Sequence, residues 1–230
     1  MKTIRNAQLD LFGGDKTKVE SDGIWFFVKK HNAVHKTGLH YDLRIQSTTV
    51  KGNNAIMKSF SVKTNASDRT IFLADLVDDH ELKNSRREGT ILEEKGEGAL
   101  IHWDEGFCEV DGEDYKTGML KALNAGIDRG QFELIFSGRR MKGKFSFQRT
   151  GSKPKDKWTI KRIDDDGWGF EKYTTSALTT HTIDFYMALF EKQKEEMGHM
   201  DAAEKLKYIG DNKSESFKHK WFWGSELTPY

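Results

Sequence analysis

The sequence has little cysteine and little proline, and each scarcity narrows the classes of protein to which it can belong. A single cysteine, Cys108, excludes an internal disulfide and a cysteine-based zinc cluster, and it fits a reducing compartment. With two prolines in 230 residues, turns must depend on the 21 glycines and on Asn, Asp and Ser. A metal site in this chain would therefore use histidine and carboxylate ligands.

Long apolar runs are missing as well. No stretch is long enough to span a bilayer, and the first ten residues, MKTIRNAQLD, lack the apolar core of a signal peptide. We therefore expect a cytoplasmic protein with no membrane partner. The length allows one domain with appendages, and a hydrophobic content of 36% with 12% aromatic residues is sufficient for a folded core.

Net charge is only +1, which by itself gives no reason to expect a nucleic-acid partner, but the charges are unevenly distributed. Between Gly138 and Arg162 ten lysines and arginines stand against the single acid Asp156, whereas between Asp75 and Asp114 fourteen acids stand against four bases. Such a basic segment is typical of a surface that binds a phosphate backbone, and the alternative is a solvated surface balanced by the acidic segment. The candidate DNA-binding residues are the first five cations of the segment: Arg139, Arg140, Lys142, Lys144 and Arg149.

The pattern of short β-rich segments predicts a mainly β fold, an antiparallel β-barrel or sandwich, with one short internal helix around residues 115–125. The predicted strands are 24–30, 39–46, 55–62, 70–77, 99–104, 107–110, 131–136, 144–149 and 158–163. Residues 1–22 are interpreted as a flexible arm, 23–165 as the barrel domain and 166–230 as an α-helical C-terminal extension. Within the extension, helices are predicted at 179–197 and 201–209.

The segment 39–45, LHYDLRI, is the most informative of the predicted strands. Alternation along a strand places His40, Asp42 and Arg44 on one face and the apolar residues on the other. A histidine and an aspartate two residues apart can bind one metal ion, and the arginine can bind phosphate oxygens. The pattern thus indicates metal-assisted chemistry on a phosphate ester, although the solvated face of an ordinary half-buried strand shows the same alternation.

Further candidates surround this strand. His31 and His35 lie upstream, and either would complete a centre of two histidines and one carboxylate. His80 ends another predicted strand, where it can protonate a leaving oxygen if it lies in the same cleft. The same ligand set is also the metal triad of non-haem iron oxygenases, which is one alternative function.

The arm carries a short apolar motif within polar sequence. A short linear motif of this kind can dock its apolar side chains into a partner while its backbone orders on binding. The motif resembles the QL(S/D)LF peptide with which many bacterial DNA-metabolism proteins bind the sliding clamp, and the alternative is that it covers the domain's own core. Its residues are Gln8, Leu9, Asp10, Leu11 and Phe12.

Over residues 25–164 the chain resembles the 3′-phosphoesterase domain of bacterial end-joining DNA ligase D and its stand-alone relatives. The order of all the shared signatures is kept. They are Lys30-His31, LHYDLR at 39–44, 58–63 as a degraded Trp-x-Val-Pro-Lys segment, VDDH at 77–80, Glu88-Gly89, WDEG at 103–106, the paired-strand segment 132–143, and Arg149 with WTIK at 158–161.

The resemblance implies a Mn²⁺-dependent enzyme, or one using another divalent metal, that trims a 3′-ribonucleoside and a 3′-phosphate from primer ends. It implies His31, His40 and Asp42 as metal ligands, with His35 as the competing ligand. It further implies phosphate binding by Arg44 and Arg69, a general acid or transition-state stabiliser at His80, and a supporting carboxylate at Asp78. The expected partners are DNA 3′ ends and the sliding clamp, for a nucleoid-associated monomer.

The chain departs from the family pattern at three places. His31 precedes His40 by nine residues where the family spacing is six, so that Val34 occupies the direct position. The family's phosphate-binding arginine, eight residues before the second-site histidine, is Phe72 here, and a family tyrosine is Asn84. A non-catalytic DNA-end or clamp-associated binding protein with the same fold is therefore the second alternative.

Overall fold

The computed structural model describes residues 23–34, 38–51, 54–63, 71–85, 87–93, 96–113, 115–151, 156–164 and 177–212. Within these residues the strands are β1 Ile24–Ala33, β2 Leu39–Gln46, β3 Ile56–Lys63, β4 Ile71–Glu81, β5 Gly89–Ile91, β6 Gly98–Val110, β7 Gln131–Gly138, β8 Lys142–Arg149 and β9 Lys157–Arg162. The helices are α1 Lys116–Arg129, α2 Ala177–Gly198 and α3 Ala202–Asp211, and a 3₁₀ turn lies at Leu82–Asn84.

Eight strands close an antiparallel barrel. Its order is β1-β2-β3-β4-β9-β8-β7-β6, and β6 pairs back onto β1 to complete the circle. The short strand β5 pairs with the beginning of β6, from Thr90 opposite Ala99. The predicted fold class is therefore confirmed, and closure removes the exposed sheet edges that an open sandwich would have.

Strand β6 differs from the sequence prediction, which placed two strands at 99–104 and 107–110. The structure has one strand of 13 residues, without a break at residues 105–106. A Cβ atom at Gly106 would lie 2.6 Å from the carbonyl oxygen of Ser137, so this glycine permits close approach of β7 rather than a turn. Strand β5, which has only three residues, was not predicted.

The hydrophobic core lies inside the barrel and is rich in aromatic rings. Phe60, Phe132, Phe147 and Trp158 contact one another, with the rings of Phe132 and Phe147 stacked at a centroid distance of 4.6 Å. Helix α1 adds Met119, Leu120, Leu123 and Ile127 to this same core. Because inward-facing side chains fill the interior, the barrel has a solid core and the polar site must lie elsewhere.

The C-terminal helices were predicted from sequence, and both form. Helix α3 begins at a capping box in which Asp201 accepts from the backbone of Glu204 and the Glu204 side chain accepts from Asp201. Helix α2 packs Ile183 against Ala99 and Ile101 of β6. Within the described part of the chain, no helix combines the length and the apolar character needed to cross a lipid bilayer.

Candidate active site

The polar side chains singled out in the sequence share the outer face of strands β1 to β4. His31 is paired with His40 across β1 and β2, and Asp42 is paired with Ser61 across β2 and β3. Cross-strand partners point to the same side of a sheet, and the alternate residues of these strands, such as Leu43, face the core. The barrel wall therefore separates this polar face from the hydrophobic interior.

Three of these side chains form a compact cluster that can hold a metal ion. One ligand atom each from His31, His40 and Asp42 lies within 4.8 Å of the others. Nδ1 of His31 is 3.7 Å from Oδ2 of Asp42, and Nε2 of His40 is 3.3 Å from Oδ1 of the same carboxylate. Two imidazoles and a carboxylate are the ligand types that Mn²⁺, Fe²⁺ and Zn²⁺ accept.

Backbone carbonyl groups orient both imidazoles. Nε2 of His31 is 3.0 Å from the carbonyl oxygen of Gly96, and Nδ1 of His40 is 2.8 Å from that of Gly38. A carbonyl only accepts, so each of these ring nitrogens carries the hydrogen. When the rings are neutral, the remaining nitrogen of each ring, the one facing Asp42, has a lone pair, as a metal ligand requires. The donor set thus fits a bound cation.

The electrostatics of the cluster keep the carboxylate ionised. Burial alone would raise the pKa of Asp42, but the hydrogen bond and charge of His40, with smaller contributions from His31 and Arg44, lower it to about 2. Burial lowers the pKa of His31 below its usual value. The pKa of His40 is raised, because the hydrogen bond and charge of Asp42 outweigh the effect of burial.

The nine-residue spacing between His31 and His40 is accommodated by the hairpin that joins β1 to β2. In the antiparallel pairing of β1 with β2, His31 lies directly opposite His40. His31 is therefore the upstream histidine in the cluster. His35, the competing candidate, lies outside the described residues. Val34 is the last described residue before it.

Arg44 lies two residues further along the same face of β2 and is buried. Its Nη1 donates to the backbone carbonyl oxygen of Asn84 at 2.9 Å, which ties the 3₁₀ turn to the site. Its Nε is buried and has no hydrogen-bond partner among the described residues. A buried guanidinium with an unused donor is suited to bind an anionic oxygen.

His80, near the end of β4, is brought to the same face. Its Nδ1 is 2.9 Å from Oγ of Ser59, a buried side chain of β3. Burial, followed by the charge of Arg44, lowers the pKa of His80, whereas the backbone carbonyl of Asp78 acts in the opposite direction. The side chain of Asp78 itself lies two residues earlier, in an exposed part of the strand.

A register shift in β4 explains why Phe72 and His80 face opposite sides of the barrel wall. His80 and Phe72 are eight residues apart, so on a regular strand both would share a face. The pairing of β3 with β4 is irregular between Met57 and Ser59, where Met57 is opposite His80 and Ser59 is opposite Val77. Phe72 consequently faces the core and is completely buried. Arg69, the predicted second phosphate ligand, lies outside the described residues.

Lys29 is a site residue that the sequence reasoning missed. It is paired with Asp42 across β1 and β2, is completely buried, and donates from Nζ to the carbonyl oxygen of Arg87. Burial, with the nearby charge of Arg44, lowers the pKa of Lys29 well below its usual value. The available signal was its position two residues before His31, on the same face of the strand.

Three of the predicted DNA-binding cations, Lys142, Lys144 and Arg149, belong to β8, on the other side of the barrel. Strand β8 is separated from β2 by three strands in either direction. Lys144 of β8 forms ion pairs at 2.8 Å with both Asp111 and Glu133.

Two arginines of that group contact other parts of the protein, whereas Lys142 is exposed to solvent. Arg149 lies over the ring of Trp158 and donates from Nη2 to the carbonyl oxygen of Ile127, at the end of α1. Arg140 lies over the ring of Trp103 near the β7–β8 turn. Lys142, at the start of β8, is exposed.

Fold and site together define a closed β-barrel with a histidine–carboxylate metal cluster and a buried arginine on its outer wall. The family model described as DNA Ligase D 3′-phosphoesterase domain matches residues 29–149, just over half of the chain. The chain belongs to this family, which assigns it to the phosphoesterase class of hydrolases. A comparison with curated proteins found no match.

The match begins at Lys29 and ends at Arg149, so it includes every described residue of the outer-face cluster and excludes β9, α2 and α3. The family resemblance inferred from sequence is thereby confirmed. The clamp-binding motif at 8–12 lies outside the described residues, and the individual roles of the site residues stay predictions.

Proposed function

We propose that this protein is a metal-dependent phosphoesterase that processes DNA 3′ ends, removing a 3′-phosphate or a 3′-ribonucleotide to leave a 3′-hydroxyl during DNA repair or end joining. The observation that carries the proposal is the cluster of His31, His40 and Asp42 beside the buried Arg44, on the same strand face. A bound cation and a neighbouring guanidinium can together stabilise the negative charge that develops on a phosphate ester during hydrolysis.

The metal would be held by His31, His40 and Asp42, a ligand set that Mn²⁺, Fe²⁺ and Zn²⁺ all accept, and the family resemblance makes Mn²⁺ the first choice. When bound, a divalent cation supplies positive charge that stabilises the developing negative charge on the phosphoryl oxygens. The carboxylate of Asp42 is ionised at neutral pH, since its pKa is about 2, and is therefore ready to bind a cation.

The protein's own residues supply the other contributions. Arg44 binds a phosphate oxygen through its unpaired Nε, and the buried side chain of Lys29 lies on the same face. His80 delivers a proton to the departing sugar oxygen, and Ser59 holds its ring in position. The negative charge of a bound phosphate would raise the pKa of His80, opposing the effects of burial and Arg44.

Hydrolysis of two labelled primers tests this proposal directly. One primer ends in a 3′-phosphate and the other in a 3′-ribonucleotide, and each is incubated with Mn²⁺ and either the wild-type protein or His40→Ala. We expect release of phosphate and of the ribonucleotide by the wild type and a loss of at least about 100-fold in the variant, more than the removal of an outer partner of a metal ligand usually causes.

His199→Ala is the matched control, because His199 is an exposed histidine at the end of α2. Equal hydrolysis by the wild type and His40→Ala would contradict the catalytic proposal. Turnover that required 2-oxoglutarate and Fe²⁺ would instead favour the oxygenase alternative.

A non-catalytic DNA-end binding protein is the second candidate, and one observation favours it. Phe72 occupies the family's arginine position and is buried in the core, so it cannot bind phosphate. This alternative expects binding to DNA ends without phosphate release. Measuring both properties on the same primers distinguishes the two functions.

Recruitment by a sliding clamp is a separate part of the proposal and rests on the sequence QLDLF at residues 8–12. Replacing Leu11 and Phe12 by alanine should abolish co-elution with a bacterial sliding clamp and leave primer hydrolysis unchanged. Co-elution that survives both replacements would contradict this recruitment.

A further inference from the structure

Helix α2 lies outside the residues of the family match. It nevertheless packs next to the turn at residues 96–98, in which the carbonyl group of Gly96 orients His31. Its apolar side chains contact the chain on both sides of that turn. Phe190 and Met197 pack on Leu92, which follows β5, and Ile183 packs on Ala99 and Ile101 of β6. One helix therefore packs on the chain both before and after the segment that connects β5 to β6.

A polar contact joins the helix to the turn itself. Nζ of Lys194 is 2.6 Å from Oε1 of Glu97, and the side chain of Glu97 is only 10% exposed. A carboxylate that is so largely buried loses more from the removal of its partner than an exposed carboxylate would. Lys194 thus contributes more than an ordinary surface ion pair.

The backbone of the turn continues this contact to the metal cluster. The carbonyl oxygen of Glu97 accepts from the backbone N–H of Val34 at 3.0 Å, and the carbonyl oxygen of the preceding Gly96 accepts from Nε2 of His31. Gly98 follows with φ +142°, so close to β1 that a Cβ atom would lie 2.0 Å from the carbonyl oxygen of Asn32. Residues 96–98 are therefore fitted tightly against the end of β1.

We infer that α2 is a positioning element of the metal centre: the Lys194–Glu97 ion pair fixes the turn whose Gly96 carbonyl holds His31 with Nδ1 directed at Asp42. The inference rests on the metal centre of the proposed function and deepens it. The C-terminal extension then acts on the barrel site through His31, and Lys194 is a positioning residue rather than a catalytic one.

The first test measures Mn²⁺ affinity in the absence of nucleic acid, by electron paramagnetic resonance titration of the full chain. Lys194→Ala should weaken Mn²⁺ binding about tenfold, the lower end of the range for outer partners of metal ligands. Lys194→Arg, which keeps the charge, should restore the affinity. Lys192→Ala is the matched control, because Lys192 lies on the same helix, is 71% exposed and pairs only loosely with Glu196 at 4.0 Å.

A second readout needs no metal. Nitrogen-15 NMR of the histidine rings in the metal-free protein should show His31 with its hydrogen on Nε2 in the wild type. In Lys194→Ala a mixture of the two tautomers is expected, because the Gly96 carbonyl is no longer fixed. The Lys192→Ala spectrum should match that of the wild type.

The two readouts separate this inference from the proposed function. A wild type that binds Mn²⁺ and a Lys194→Ala protein with the same affinity and the same His31 tautomer would overturn the inference and leave the metal centre intact. A lower melting temperature of Lys194→Ala with unchanged Mn²⁺ affinity would likewise overturn it, since the helix would then only stabilise the fold. A wild type that binds no Mn²⁺ contradicts the proposed metal centre itself.

Discussion

Ser59 and His80 lie on neighbouring strands with Oγ of the serine 2.9 Å from Nδ1 of the histidine. The serine is buried, and the register irregularity between β3 and β4 is what brings the two side chains to one face. A hydrogen bond at Nδ1 leaves Nε2 of His80 as the nitrogen available to the substrate. Ser59 is therefore expected to orient the proton donor.

Ser59→Ala should lower kcat for phosphate release about tenfold, because the ring of His80 loses the group that holds it, while KM and Mn²⁺ affinity stay near their wild-type values. Ser59→Thr, which keeps the hydroxyl group, should retain most of the activity. Ser146→Ala on β8 is the matched control, since its hydroxyl group is on the opposite wall of the barrel. A change in KM alone would contradict this role.

Mn²⁺ affinity should fall as the pH falls through the raised pKa of His40. A neutral imidazole binds metal, whereas a protonated one cannot. Below the pKa of His40 each pH unit should weaken binding about tenfold. Asp42 stays ionised until about pH 2 and His31 has a lowered pKa, so neither adds to the loss just below the pKa of His40.

Isothermal titration of the metal-free protein between pH 5.5 and 8 measures this dependence. A slope near one proton per metal is the expected result. An affinity that does not change with pH would contradict the assignment of His40 as a ligand.

Asp104 holds the β7–β8 turn in place. Its carboxylate accepts from the backbone N–H groups of Arg140 and Met141 at 2.8 and 2.6 Å and, at 3.2 Å, from that of Arg139. Asp104→Ala leaves these donors without their acceptor and should cost about 3 kcal/mol in the free energy of unfolding. Urea denaturation measures the loss, and Glu109→Ala, an exposed position on the same strand, should be close to neutral.

Two glycines should respond in opposite directions to the same substitution. Gly98→Ala should lower the free energy of unfolding by about 3 kcal/mol or more, because its positive φ strains an alanine and the Cβ atom meets Asn32. Gly210→Ala, in α3 with open space around it, should raise the free energy of unfolding by about 0.5–1 kcal/mol. Thermal unfolding of the two variants provides the comparison, and equal shifts would contradict it.

The exposed cations of the basic segment should differ in their effect on DNA binding. If DNA contacts this surface, Lys142→Ala should reduce the slope of log affinity against log salt concentration by about one. Lys144 is already neutralised by Asp111 and Glu133, so Lys144→Ala should change the slope much less. Fluorescence anisotropy at several salt concentrations measures both, and identical slopes would argue against a DNA contact at Lys142.

Local patterns were sufficient to predict most of the fold. Alternation in LHYDLRI fixed which face of β2 is polar, and the structure keeps that face outside the barrel. Helical spacing in the C-terminal part predicted α2 and α3, although not what they contact. The predicted division of β6 into strands 99–104 and 107–110 was wrong, because β6 continues through Gly106, which permits the close approach of a neighbouring strand.

The sequence by itself determined the residue types of the site and the two candidates for its upstream ligand, because alternation and composition are local properties. Only the tertiary structure decided that His31 faces His40, that Phe72 is turned into the core and that Lys29 is buried beside Asp42. Each of these depends on strand register or on a bulge. Register and bulges depend on how neighbouring strands pair, which the alternation within a single strand does not determine.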